Sequence, residues 1–447
     1  MLEHSRRYTG GMNGRSENSD SLSERPRIVV VGGGFGGVAA VRSLKGCDAD
    51  VVLIDRRNHS IFQPLLYQVA TAVLAPSEVA TPLRQLVRQQ ANLSVIMGEV
   101  SGIDLSSRQL AVNSPHLSTR QLSYDFLVVA PGVQPTYYGH DEFATHAPCL
   151  KTLTDAELVR ARILAAYELA EETSDAAGRT RALTFVLVGA GPTGVELAAS
   201  LAQMARVTLR SNFRMIDPAE TRIVLLESAP RVLPSFHPAL SKKVHEHLLK
   251  LGVEIQTGLA VQGVDEQGVR FGGGRIESNT VLWTAGVQAT PLIRTLGVPT
   301  DRTGRAVVDE FLRPAGQKDV FVIGDAALFD GRALPGVAQV AIQQGRYAGE
   351  FIRACIEHRT ITQGFRYRDR GNMAVVGKNF AVLERGKLRL SGLLTWCLWA
   401  FLHVLFLPQL QNRLRVQTQW LWTYLTGQRS SRLIPEPSST ASSRREP

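Results

Sequence analysis

The chain has 447 residues, 44% of them hydrophobic, and a formal net charge of +10, enough for two or three domains and too apolar for global disorder. Its four cysteines, Cys47, Cys149, Cys355 and Cys397, make no CxxC motif, zinc ribbon or disulfide framework, and its histidines are scattered, so no metal site is expected and a reducing compartment is the simplest setting. The positive charge leaves nucleic acid or an anionic membrane as partner classes.

Residues 1–26 are polar and mixed in charge. They lack the apolar core of a secretory signal, their acids argue against a transit peptide, and a flexible leader is expected. Ile28 to Val31 is a β-branched run suited to a parallel strand buried on both faces. It feeds Gly32-Gly33-Gly34-Phe35-Gly36-Gly37. In such a turn Gly32 permits the bend, Gly34 lets backbone approach a pyrophosphate, and Gly37 lets the next helix pack closely. A second strand, Val51 to Ile54, delivers Asp55 eighteen residues beyond Gly37, the spacing of a carboxylate that accepts from ribose hydroxyls. Phe126 to Gly132 reads as a buried strand ending in small residues, as where a strand end passes a cofactor.

The arrangement repeats from Leu183. A strand to Val188 enters Gly189-Ala190-Gly191-Pro192-Thr193-Gly194, Val195-Glu196-Leu197-Ala198 opens a helix, and Ile223 to Leu226 delivers Glu227. The longer interval to Glu227 predicts an inserted helix and loop between Arg206 and Arg222. A carboxylate at 227 accepts from both ribose hydroxyls of NAD and repels the 2′-phosphate of NADP. Two unit charges about 4 Å apart at an effective dielectric near 20 interact by roughly 4 kcal/mol. Arg231, close behind, is the residue that would soften this preference. Asn279 to Gly286 is the counterpart of Phe126 to Gly132, and Val320 to Ala326 is a strand whose terminal Gly324-Asp325 can approach a polyol or phosphate.

Gly392 to Leu407 is sixteen residues without a formal charge, short for a transmembrane helix. After Pro408, Leu410, Leu414, Leu421 and Leu425 fall near one helical stripe. Trp396, Trp399, Trp420 and Trp422 lie here, among flanking arginines and lysines, which suits a headgroup region. Each large apolar side chain gains roughly 1.5–3 kcal/mol on burial, so the stretch will not stay in water. An interfacial membrane anchor is the favoured reading, a helical hairpin buried against the body the alternative. This settles the charge in favour of a lipid surface over nucleic acid. Residues 435–447, rich in Pro, Ser and Glu, read as a disordered tail.

Together these segments resemble the flavoproteins with two dinucleotide-binding domains, and specifically type II NADH dehydrogenases. The resemblance rests on Phe62-Gln63-Pro64-Leu65-Leu66-Tyr67-Gln68-Val69-Ala70, Gly191 to Ala198, Leu334 to Gly345 and the Trp-rich C-terminus. It implies an α/β fold of two Rossmann-like domains, for FAD and NAD, plus C-terminal amphipathic membrane-binding helices. The expected division is 27–150 and 291–385 for FAD, 151–290 for NAD and 386–434 for the anchor.

By the same resemblance, non-covalent FAD is surrounded by Gly32, Gly34, Phe35, Gly36, Gly37, Asp55, Arg56, Gln63, Pro64, Leu65, Ala130, Gly132, Gly324, Asp325 and Ala338. NADH lies against Gly189, Gly191, Pro192, Thr193, Gly194, Glu196, Glu227, Ala285 and Gly286. Gln339, Gln343 and Gln344 face the quinone entrance, where a neutral amide bonds a carbonyl without burying charge. The implied activity is membrane-associated, non-electrogenic NADH:quinone oxidoreduction, hydride passing from NADH to FAD and two electrons on to a membrane quinone. The protein is expected at the cytoplasmic face of the inner (plasma) membrane, peripheral or monotopic, with a homodimer left open. Cys149 stands where such proteins usually have glycine, so a sulfide:quinone oxidoreductase using Cys149 and Cys355 is a rival reading. A flavin-binding membrane scaffold without turnover is another.

Overall fold

The computed structural model describes residues 25–114 and 117–434. The expected leader, but for its last two residues, and the expected tail lie outside the described residues. The principal elements begin with β1 (Arg27–Val31), α1 (Phe35–Ser43), β2 (Asp50–Asp55), the short α2 (Leu66–Ala70), β3 (Leu93–Met97) and β4 (Phe126–Val129). The chain continues through α3 (Leu153–Glu172), β5 (Thr184–Val188), α4 (Pro192–Gln203), β6 (Arg222–Glu227), β7 (Val253–Thr257) and β8 (Thr280–Trp283), and returns with β9 (Val320–Val322) and α5 (Ala338–Ile356). An antiparallel sheet of β10 (Asn372–Val375), β11 (Ala381–Arg385) and β12 (Leu388–Gly392) leads straight into α6 (Leu393–Phe406) and α7 (Leu410–Thr426).

Two parallel sheets carry the nucleotide turns, one ordered β9-β4-β1-β2-β3 and the other β7-β6-β5-β8. In each, the first strand sits between neighbours reached in opposite directions, which opens a crevice at its C-terminal end. The β-branched runs supply what two-sided burial demands: Ile28, Val29 and Val30 are wholly buried, as are Phe185, Val186 and Leu187. α5 crosses α1 at backbone contact. A Cβ at Gly345 would collide with the Gly36 carbonyl, and one at Gly349 would lie 2.6 Å from that of Ala40. The glutamine-bearing helix is thus locked to the first fingerprint.

The segment between α4 and β6 departs from the expected inserted helix. α4 runs on through one π turn, Met204–Thr208, and only a 3₁₀ turn at Pro218–Glu220 follows. The Glu171 carboxylate on α3 accepts from the amides of Arg214, Met215 and Ile216, so this loop satisfies its backbone without a helical ladder.

The C-terminal helices have two unlike faces. Trp399, Val404, Leu407 and Val416 are buried in one core with α2, α3 and α4, whereas Leu394 is 85% exposed and Leu425 72%. The stripe of Leu410, Leu414, Leu421 and Leu425 faces outward along its length. No helix among the described residues is long and apolar enough to cross a membrane.

Candidate active site

The two glycine turns are built alike. Gly32 and Gly189 hold φ of +103° and +102°, and side chains at Gly37 and Gly194 would strike the carbonyls of Gly32 and Gly189. Gly34 and Gly191, by contrast, face open space with nothing within 4 Å of a would-be Cβ, and each N-caps its helix without a side-chain bond. Two helix N-termini therefore present free amides to an open cradle, the shape and polarity a pyrophosphate requires. Asp55 accepts from the Gly33 amide at 2.7 Å and Glu227 from the Ala190 amide at 2.6 Å, so both carboxylates are fixed at the crevice edge. These features fit a dinucleotide in each half. Arg231 is turned away, donating to the carbonyls of Pro234 at 2.8 Å and Phe236 at 3.4 Å.

Most of the residues expected around FAD converge on the first crevice. Ala130 donates to the Val31 carbonyl at 2.8 Å, next to Gly32, and Gly132 follows at φ +72°. Gly324, at φ +70°, precedes Asp325, and Ala338 opens α5 nearby. Phe35 packs edge-on against Phe62, ring centres 6.0 Å apart. Two residues expected there turn their side chains elsewhere. Arg56 points outward to Glu99 at 3.9 Å, both side chains largely exposed. Leu65 is wholly buried in the core, because the 3₁₀ turn Gln63–Leu65 rotates its side chain inward while Gln63 stays at the surface of the site. In the second crevice Pro192 and Thr193 lie exposed at the start of α4, and Ala285 abuts Gly189, followed by Gly286 at φ +73°.

The glutamines expected at the quinone entrance are occupied by backbone. Gln339 donates to the Gly371 carbonyl at 2.9 Å and accepts from the Arg370 amide at 3.1 Å. Gln343 donates to the Arg368 carbonyl and accepts from the Arg368 amide, each at 3.0 Å. Gln344, 1% exposed, accepts from the Gly324 amide at 2.6 Å. All three amides act as staples, two on the 368–371 strand approach and one on the Gly324-Asp325 turn.

Two cavities meet elsewhere. A small one of about 90 Å³ lies between the halves, walled by Gln63 and Lys151 on one side and Thr193 on the other. A larger one of about 360 Å³ lies under α6 and α7, walled by Trp396, Trp399, Trp420, Lys378 and Arg429. Tyr67 and Glu196 line both, and so form the partition. Burial pushes the Glu196 carboxyl up to about 8, opposed by the Val375 amide at 3.3 Å. Burial thus disfavours the carboxylate form that would compensate the helix dipole.

Lys151, on the wall of the smaller cavity, and Asp325, after the Gly324 turn, lie close enough to feel each other's charge. Burial lowers the lysine pKa and raises the aspartate pKa, and in each case the partner's charge opposes the shift. Lys151 carries no sequence signal, and Arg429 reads in the sequence as one of the basic residues flanking the anchor helices, near anionic lipid; the fold instead carries it inward, to 4% exposure.

Cys149 does not suit sulfur chemistry. It sits at a β-bridge to Trp283, its thiol 3.6 Å from Asp155, and burial with that carboxylate pushes it up to about 12. Cys355 lies exposed near the end of α5.

Two glycine-turn crevices on paired parallel sheets, beside two cavities parted by Tyr67 and Glu196, define a flavoprotein oxidoreductase using a nicotinamide nucleotide. The model of the pyridine nucleotide-disulphide oxidoreductase family matches residues 26–345. The type II NADH:quinone oxidoreductase NdhA of Mycobacterium tuberculosis is 41% identical over 91% of this chain and 88% of its own length. The type II NADH:quinone oxidoreductase Ndh of the same organism is 40% identical over 97% and 96%. The structure of NDH2 from Plasmodium falciparum in complex with NADH superposes with a TM-score of 0.82 at 18% identity, over 91% of this chain and 99% of that one. The chain belongs to the type II NADH:quinone oxidoreductases.

Proposed function

We propose that the first crevice holds FAD, the second NADH, and the larger cavity the head of a membrane quinone, so that nicotinamide and quinone approach from opposite sides of the Tyr67–Glu196 partition. That partition is the observation that carries the reading. FAD, when bound, supplies the two-electron relay between the substrates. The amides at Gly34 to Gly37 hold its phosphates, Asp55 its ribose, and Lys151 and Asp325 flank its distal end. Gly191 to Gly194 and Glu227 hold the NADH, with Glu227 setting the preference against a 2′-phosphate now that Arg231 is engaged elsewhere.

The outward stripe of α6 and α7 supports a monotopic seat on the lipid surface, where exposed Leu394, Phe401 and Leu425 enter the headgroup boundary. The cavity mouth then lies at the bilayer, where a long-tailed quinone is dissolved. Tryptophans around that mouth suit the interface. We place this seat at the cytoplasmic face of the inner membrane, where NADH is available, and leave the outward stripe to lipid, with a second copy as its competitor. Turnover is non-electrogenic, because both substrates are served within one protein body on one side of the bilayer.

The test is direct. The purified yellow protein should bleach with NADH under argon and regain its colour on adding a quinone. A protein that binds flavin and bleaches without reoxidation by any quinone is a scaffold, and the reading fails.

A further inference from the structure

Tyr67 is a buried phenol whose hydrogen bonding is decided by a residue of the membrane-facing helix. The Trp420 indole N–H, which can only donate, is 2.6 Å from Gln68 Oε1. This fixes the orientation of the Gln68 amide and leaves its NH₂ to donate to the Tyr67 oxygen at 2.9 Å. Tyr67 must therefore accept from Gln68. Its own hydrogen has no acceptor within bonding distance among the described residues, although the side chain is 6% exposed. Tyr67, Gln68 and Trp420 share one wall of the larger cavity.

A buried donor without an acceptor is costly unless a ligand completes it. We infer that Tyr67 donates its phenolic hydrogen to a carbonyl oxygen of the quinone, and that Trp420 and Gln68 are positioning residues that hold it in the donating orientation. This rests on the placement of the quinone in the larger cavity. The donor then stabilises the negative charge that grows on the quinone oxygen as electrons arrive, in a site shielded from water. Burial holds the phenol well above its ordinary pKa, so it stays protonated at any working pH. The chain of bonds also ties the donor to α7: quinone is met by a correctly oriented phenol only while the membrane-facing helix is docked.

The experiment uses FAD-loaded protein in vesicles and a short-tailed benzoquinone labelled with carbon-13 at its carbonyls. Stopped-flow absorbance separates flavin reduction by NADH from reoxidation by quinone, and infrared difference spectra read the bound carbonyl band. Tyr67→Phe should slow reoxidation by about 10- to 100-fold, several-fold more than it slows reduction, and move the carbonyl band toward its unbonded frequency. Gln68→Met keeps the phenol but frees its rotation, and should broaden the band with a smaller loss of rate. A carbonyl band unchanged in both variants overturns the proposal. Thr423→Trp, which fills the cavity while keeping Tyr67, Gln68 and Trp420 in the sequence, tests the placement itself. If it leaves quinone turnover intact, the quinone is not in this cavity and the reading beneath the proposal fails. If it blocks turnover while Tyr67→Phe keeps the wild-type band, only the donor assignment is lost.

Discussion

Arg429 donates to the Ser200 carbonyl at 2.9 Å, joining the segment after α7 to the helix that carries Glu196. Its other terminal nitrogen donates to the Thr71 carbonyl at 2.7 Å. Burial pushes the guanidinium down to about 10, with the phenols of Tyr67 and Tyr167 opposing, so it is charged at neutral pH, and no carboxylate among the described residues pairs with it. Arg429→Ala strands the Thr71 carbonyl and leaves that of Ser200 to the Met204 amide alone, and should cost on the order of 1–3 kcal/mol. Urea unfolding followed by tryptophan fluorescence reads this as a lower midpoint. An unchanged midpoint would mean that the C-terminal segment lies outside the cooperative unit.

The same bond alters how the anchor is best tested. Truncation before Ser391 would remove Arg429 and strip Trp399, Leu407 and Val416 from the core, so it should unfold the region around Glu196 as well as release the membrane. Charge on the outer face separates the two effects. Leu394 and Phe401 are 85% and 64% exposed, so Leu394→Glu with Phe401→Glu should keep Tm within about 2 °C while abolishing sedimentation with anionic vesicles. Retained sedimentation would leave the outer stripe to a protein partner.

On the proposed placement of NADH, nucleotide choice turns on Glu227, whose second oxygen accepts from the Ala229 amide at 2.8 Å. Glu227→Gln removes the charge that repels a 2′-phosphate, and the ratio of kcat/KM for NADPH over NADH should rise at least about 10-fold. Affinity for NADH should fall as well, since one of the two amides loses its acceptor. A constant ratio would place the adenosine ribose away from this carboxylate.

Glu196 gives stability a pH dependence. Its folded pKa is raised from 4.5 to about 8, so the folded state binds a proton more tightly than the unfolded chain. The contribution is fully present below about 4.5 and is lost as pH rises through about 8. Glu196→Gln cannot ionise, so its Tm relative to wild type should climb from pH 5 to pH 8 and level off above. Parallel Tm curves across that range would show that the carboxyl is not held neutral.

The stapling glutamines predict an effect on structure before chemistry. Gln339→Leu or Gln343→Leu each removes two hydrogen bonds to the 368–371 segment, a loss of about 1–2 kcal/mol. Hydrogen exchange at the amides of Arg368 and Arg370 should rise by about 10-fold, whatever happens to quinone reoxidation. Slower reoxidation with full protection at both amides would return these side chains to direct contact with the quinone.

The sequence by itself determined the two parallel sheets, both glycine turns, and the carboxylates at 55 and 227, because each depends on residues within one strand-turn-helix unit. Strand burial reads as a β-branched run, and a close backbone approach reads as glycine. The amphipathic C-terminus was legible for the same reason, its outward leucines recurring at helical spacing. Only the tertiary structure decided the partition and its partners. Tyr67, Glu196, Trp420 and Arg429 come from four separate segments, and no local pattern records that they meet. The Gln339 and Gln343 amides likewise look free along a helix, and find backbone partners only because the chain from 368 to 371 passes beside them. Leu65 and Gln63 differ in fate through one 3₁₀ turn packed against a core, and a side chain's direction there follows from what surrounds it, which sequence spacing does not carry.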